Sequence, residues 1–96
     1  MKVLFICNQN QNRSKTAEEI FSERFQTKSA GLFNKKPVTK NQLEWADLVV
    51  VMEDFQRQEI AERFPKQYII SLNIPDVYNY KDQNLIDLLK NNFYKF

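Results

Sequence analysis

The sequence predicts an α/β fold, a three-layer sandwich around a small parallel sheet of about four strands. Three observations predict it. Short apolar runs alternate with segments whose apolar residues recur at three- and four-residue spacing. The first run, Val3-Leu4-Phe5-Ile6, is continuous, as in strands buried on both faces. It ends on a cysteine, and a polar loop then leads to an arginine at the start of a helical pattern. That is the strand-to-helix turn at the carboxyl edge of such a sheet, where ligands bind.

The elements follow in order. Lys2 to Ile6 is the first strand. Lys15 to Phe25 reads as an amphipathic helix, because Ala17, Ile20, Phe21 and Phe25 share a face. Thr27 to Leu32 is a weak second strand containing Gly31, the only glycine. Pro37 breaks the next segment, and Thr39 with Gln42 fits a capping box ahead of a short helix through Leu43, Trp45 and Ala46. Leu48-Val49-Val50-Val51-Met52 is the strongest strand. Asp47 and Asp54 read as structural caps, the latter opening a helix in which Ile60, Ala61 and Phe64 share a face before Pro65. Tyr68 to Leu72 is a fourth strand, Asn73 to Lys81 a loop, and Leu85, Leu88, Leu89 and Phe93 line the closing helix. Without repeats or linkers, residues 1–96 read as one domain.

Composition narrows the function classes. With 43% hydrophobic residues the chain is globular rather than disordered. No apolar stretch approaches bilayer length, and Met1-Lys2 leads straight into a strand, so neither a membrane span nor a signal peptide is expected. One cysteine makes no internal disulfide, which points to the cytoplasm. The 14 basic and 12 acidic residues are interspersed, so neither a nucleic-acid nor a membrane partner is expected. There is no histidine, so acid and base work falls to a carboxylate, lysine or tyrosine, and no metal or other cofactor is implied.

The chemistry concentrates in Cys7-Asn8-Gln9-Asn10-Gln11-Asn12-Arg13-Ser14. A helix N-terminus offers unpaired N–H groups and a positive dipole end, which hold an oxyanion and favour thiolate over thiol. The planar fork of Arg13 can take two phosphoryl oxygens at once. The loop has no glycine for positive φ, but Asn8, Asn10 and Asn12 are the non-glycine type that best tolerates it. Ser14 can donate to the cysteine sulfur or cap the helix. Asp76 lies in the last loop at the same sheet edge, although Pro75-Asp76 is also ordinary turn chemistry.

These residues resemble the low-molecular-weight protein tyrosine phosphatases. The resemblance lies in Val3-Leu4-Phe5-Ile6-Cys7, Asn10, Arg13-Ser14 and Ala17-Glu18. It continues in Ser29-Ala30-Gly31, Ala46-Asp47-Leu48-Val49-Val50-Val51-Met52 and Asp76-Val77-Tyr78. It implies a phosphatase-I-like sandwich and hydrolysis of a phosphomonoester, as by a protein tyrosine phosphatase, through a phosphocysteine on Cys7. Arg13 would bind the phosphoryl group, Asn10 would brace the loop, and Ser14 would stabilise the thiolate. Loop residues Asn8 to Asn12 would cradle the substrate, and Asp76 would be the general acid, with Asp82 as the alternative. Tyr78, with Tyr80 and Phe33 as further candidates, would wall the slot for an aromatic leaving group.

The chain departs from the family pattern at four points. Gln9 replaces a loop glycine, Asn12 a frequent second cysteine, Lys15 a proline after Arg-Ser, and Val77 the proline after the acid. The chain is also shorter than usual members between its second and third strands. The expected partner is a phosphorylated protein or a small aryl phosphate, and the oligomeric state stays open. Two alternatives remain: a module that binds phosphate or a phosphopeptide without hydrolysing it, and arsenate reduction. The latter passes disulfides between several cysteines, and only Cys7 is present.

Overall fold

A computed structural model describes all of residues 1–96. Strands β1 (Lys2–Cys7), β2 (Gln26–Gly31), β3 (Leu48–Val51) and β4 (Ile69–Ser71) alternate with helices α1 (Arg13–Ile20), α2 (Lys40–Trp45), α3 (Asp54–Arg63) and α4 (Gln83–Phe93). The four strands form one sheet in the order β2-β1-β3-β4, every pair parallel. The chain moves from β1 outward to β2, then crosses back to β3 on the other side. The order therefore reverses at β1, and the loop after β1 opens into the crevice that this reversal creates.

Strand alternation sends side chains to two separate cores. Val3, Phe5, Cys7 and Val50 pack with Phe21, Leu85, Leu89 and Phe93 of the α1 and α4 layer. Leu4, Ile6, Val49 and Val51 pack with Leu43 and Ile60 of the α2 and α3 layer. Burial on both faces is why β1 and β3 are unbroken apolar runs. Phe21 and Phe93 meet at 4.6 Å between ring centroids and join α1 to α4.

Several boundaries differ from the sequence expectation for local reasons. Helix α1 starts at Arg13 and ends at Ile20. Residues Phe21 to Phe25 turn back instead, because the Gln26 N–H must reach the Met1 carbonyl to begin the β1–β2 ladder. Strand β3 stops before Met52, whose N–H is taken by Gln56 Oε1 at 2.9 Å. Thr39 and Gln42 form the expected capping box of α2. Asp54 does not cap α3 but lies in its first turn; Glu53 occupies the cap position, its N–H donating to Gln56 Oε1 at 3.0 Å. Asp47 staples the start of β1 instead of capping a helix: its carboxylate accepts the Lys2 N–H at 2.9 Å.

Candidate active site

The Cys7–Ser14 segment begins at the carboxyl end of the central strand β1. Cys7 is 3% exposed on the α1 side of the sheet, paired in register with Gly31. Asn10 is the only loop residue with positive φ, at 55°, so one asparagine supplies the left-handed turn that a glycine would. From Gln9 to Lys15 no backbone N–H donates to a carbonyl of the chain. These groups are the unpaired donors that the N-terminus of α1 and the loop before it offer to an anion.

Ser14, in the first turn of α1, sits directly beneath the thiol. Its Oγ lies 3.0 Å from Cys7 Sγ and donates to Asn10 Oδ1 at 2.7 Å. Ser14 has a single proton, so in this arrangement Cys7 is the donor in the sulfur contact. A thiolate would reverse it, with Ser14 donating to sulfur.

Arg13 is 1% exposed, and its guanidinium is held from several directions. Nη1 donates to a carboxylate oxygen of Glu53 and, at 2.7 Å, to the Ile74 carbonyl. Nε lies 3.6 Å from Asp76 Oδ1. Nη2 is buried and has no partner. Cys7, Gln9, Gln11, Asn12, Arg13 and Asp76 enclose a cavity of about 120 Å³. At about 30 Å³ per water this is room for about four waters, the scale of one tetrahedral oxyanion.

Asp76 lies in a loop fixed at both ends. Asn73 and Lys81 both adopt left-handed backbone, with φ of 56° and 59°. The Ile74 carbonyl is bound by Arg13, and the Lys81 N–H donates to buried Thr16 Oγ1 at 3.0 Å. Thr16 in turn donates to the Asn12 carbonyl at 2.7 Å. The loop bearing Asp76 is thus tied by side chains of α1 to that helix and to Asn12, at the end of the loop before it.

The remaining candidates divide. Asn8 lies beneath the cavity and not in its lining, its side chain accepting from Gln56 Nε2 at 2.7 Å. Asn10 and Ser14 back the cysteine. Tyr78 is half-buried against the Val3–Phe93 core and does not line the cavity. Asp82 caps α4, accepting the Asn84 N–H at 2.8 Å, and is likewise absent from the lining. Phe33 is exposed and stacks on Phe55 of α3, with centroids 6.5 Å apart and planes 6° from parallel.

Tyr80 donates to Glu19, and Lys81 Nζ lies 3.4 Å from the same carboxylate. The hydrogen bond from Tyr80, with the Lys81 charge, holds Glu19 below the usual carboxylate range. Conversely, the Glu19 hydrogen bond raises Tyr80, and the Glu19 charge raises Lys81.

Sequence reading missed Glu53 and Gln56, which sit in and beside the first turn of α3 and look like surface helix residues. The available signal was an acidic residue directly after the central β3 run, at the same sheet edge as Cys7.

No family model matches the chain, and no curated protein matches it by sequence. Solved structures do match across nearly the whole length. The low-molecular-weight protein tyrosine phosphatase from T. tengcongensis superposes with a TM-score of 0.76 at 21% identity, covering 100% of this chain and 99% of that one. The fold is that of the low-molecular-weight protein tyrosine phosphatases. The tyrosine phosphatase Wzb from Escherichia coli, in complex with phosphate, gives a TM-score of 0.76 at 19% identity, covering 98% and 94% of the two chains. YwlE arginine phosphatase from Geobacillus stearothermophilus gives 0.75 at 20% identity, covering 98% and 91%. Members of this fold therefore include proteins described as acting on different phosphorylated side chains. At these identities the likeness fixes the phosphatase fold of the chain, and its chemistry is read from the side chains.

Proposed function

We propose that the chain is a cysteine-dependent phosphomonoester hydrolase acting on phosphotyrosine in proteins or on small aryl phosphates. One observation supports this above the others. A fully buried arginine keeps one guanidinium nitrogen without a partner beside a cavity lined by a cysteine and a carboxylate. Burying an unpaired charged donor is costly unless a ligand completes it. The resemblance to phosphatases named for tyrosine and arginine substrates is consistent with that ligand being a phosphoryl group.

The steps follow from placement. Arg13 and the free loop N–H groups hold the phosphoryl oxygens while Ser14 turns its proton to the sulfur. Cys7 Sγ attacks phosphorus, the ester bond breaks, and Asp76 gives its proton to the leaving oxygen. Asp76 then takes a proton from the water that attacks the phosphocysteine, which releases inorganic phosphate and restores the thiolate. Exposed Phe33 and Phe55, and Val77 at 75% exposure beside Asp76, offer apolar surface to an aromatic leaving group. The Phe33 N–H donates to the Asn8 carbonyl at 2.9 Å, which sets that surface next to the phosphate loop. The single cysteine suits a reducing, cytoplasmic setting, and no helix is long and apolar enough to cross a membrane.

The test is turnover of p-nitrophenyl phosphate by the purified protein. Activity is expected to vanish in Cys7→Ser, and an unchanged rate in that variant refutes the reading. One contact favours a second reading, a module that holds phosphate or a phosphopeptide without hydrolysis. Asp76 leans on Arg13 Nε at 3.6 Å, an ion pair that an incoming dianion must loosen. Arg13-dependent phosphate binding with no turnover would select it.

A further inference from the structure

Anion-binding loops hold their N–H groups in place by glycine turns or by bracing from outside. Residues Asn8 to Asn12 contain no glycine, and only Asn10 is left-handed. The brace comes from the start of α3. Fully buried Gln56 accepts the Met52 and Glu53 N–H groups on Oε1 at 2.9 and 3.0 Å and donates Nε2 to Asn8. The Gln56 N–H is met at 3.1 Å by the backbone carbonyl of Glu53. The Glu53 side chain therefore reaches the other end of the loop, where its carboxylate and the Ile74 carbonyl together hold Arg13 Nη1.

We propose that Glu53 is a positioning residue for oxyanion binding. By holding Nη1 it fixes the guanidinium plane, so that Nη2 stays free beside the cavity. The proposal rests on the phosphate-site reading of the cavity but is independent of turnover. The Glu53 charge helps to neutralise the buried guanidinium, but it does not favour anion binding, because a carboxylate on Arg13 repels an incoming anion and offsets part of the arginine's attraction. Geometry gives the reason: an arginine recognises tetrahedral oxygens with two nitrogens of a planar fork, and a misrotated fork engages only one.

The two accounts predict opposite outcomes for removing the side chain. If Glu53 acts by position, Glu53→Ala frees the fork and weakens binding. Glu53→Gln retains a neutral oxygen for Nη1 and preserves it. If Glu53 acts only as a charge, both substitutions tighten binding.

The experiment is calorimetric titration of the full chain with orthovanadate, alongside thermal unfolding of each variant. Glu53→Ala is expected to bind about tenfold more weakly than wild type, and Glu53→Gln within about threefold of it. In an Arg13→Lys background, where there is no planar fork to orient, Glu53→Ala is expected to weaken binding no further. Should Glu53→Ala fail to fold, Glu53→Asp, which keeps the charge but withdraws its reach, is expected to show the weakening instead. The proposal falls if Glu53→Ala binds as tightly as wild type, if Glu53→Gln binds as poorly as Glu53→Ala, or if the weakening persists in Arg13→Lys. Wild-type protein that binds no vanadate overturns the phosphate-site reading and this proposal with it. Wild-type binding with an unresponsive Glu53 overturns this proposal alone.

Discussion

Gln56 Nε2 donates to Asn8 Oδ1 at 2.7 Å across 48 positions of sequence, so the first residue of the loop after β1 is held by the first turn of α3. The oxygen of the same Gln56 side chain, Oε1, ends β3 by accepting the Met52 N–H. Replacing Gln56 by leucine leaves two backbone donors and one amide oxygen without partners in a buried place. The expected loss is about 3 kcal/mol of unfolding free energy, measured by urea denaturation. A loss below about 1 kcal/mol would show that water or a shifted backbone meets those groups.

Asp76 and Asp82 separate by their neighbours. Asp76 lines the cavity, whereas Asp82 is occupied in capping α4. Asp76→Asn is expected to lower kcat for p-nitrophenyl phosphate by about 10² or more, the usual scale of a general acid. Asp82→Ala is expected to cost about 1 kcal/mol of stability through its cap, with kcat near wild type. The reverse pattern of rates would assign the acid to Asp82.

Gly31 is needed for a close approach rather than for a turn. A Cβ there would lie 2.6 Å from the Asn34 side chain, whose Nδ2 reaches the Gln9 carbonyl at 3.4 Å. Gly31→Ala should therefore push Asn34 off the loop after β1 and lower stability by about 1–3 kcal/mol. Pairing it with Asn34→Ala opens the space, and the double variant should recover most of that stability. Equal melting temperatures for the single and double variants would place the strain elsewhere.

The Glu19, Tyr80 and Lys81 cluster makes a pH prediction. Glu19 is shifted down in the folded chain, so its contribution is present above the ordinary carboxylate pKa and lost as pH falls through the folded value. Tyr80 and Lys81 are shifted up, so theirs is present below their ordinary values and lost as pH rises through the folded ones. Melting curves of wild type and Glu19→Gln should differ near neutrality and converge between about pH 5 and pH 3. A difference that persists unchanged at about pH 3 would rule the cluster out as its source.

The alternation of strands and helices was legible because β1 and β3 are buried on both faces and their apolar runs have no competing reading. That Cys7, Arg13 and Asp76 would meet at one sheet edge was legible because strand ends and loops declare themselves, and the three line one cavity. Asn10 was readable as a left-handed residue, but Asn8 and Asn12 shared the signal without sharing the conformation. Tyr78 gave no local sign that it would pack half-buried on the core, outside the cavity lining. Glu53 and Gln56 were opaque because their roles depend on contacts made 40 and 48 positions away, and nothing local distinguishes a helix-start glutamate in solvent from one paired with a buried arginine.

The isolated bridge between Gly31 and Pro37 bears on how such a small sheet behaves in a crowded solution. Strand β2 is an edge, and an open edge invites pairing with another chain. The segment that returns along its carboxyl end does so through a proline, which has no N–H to offer outward. The rest of β2 places exposed Gln26 and Lys28 along its length, and the opposite edge, β4, is only three residues long. Each border of the sheet is thus blunted against strand addition, and the side nearest Cys7 is sealed by a residue that cannot extend it.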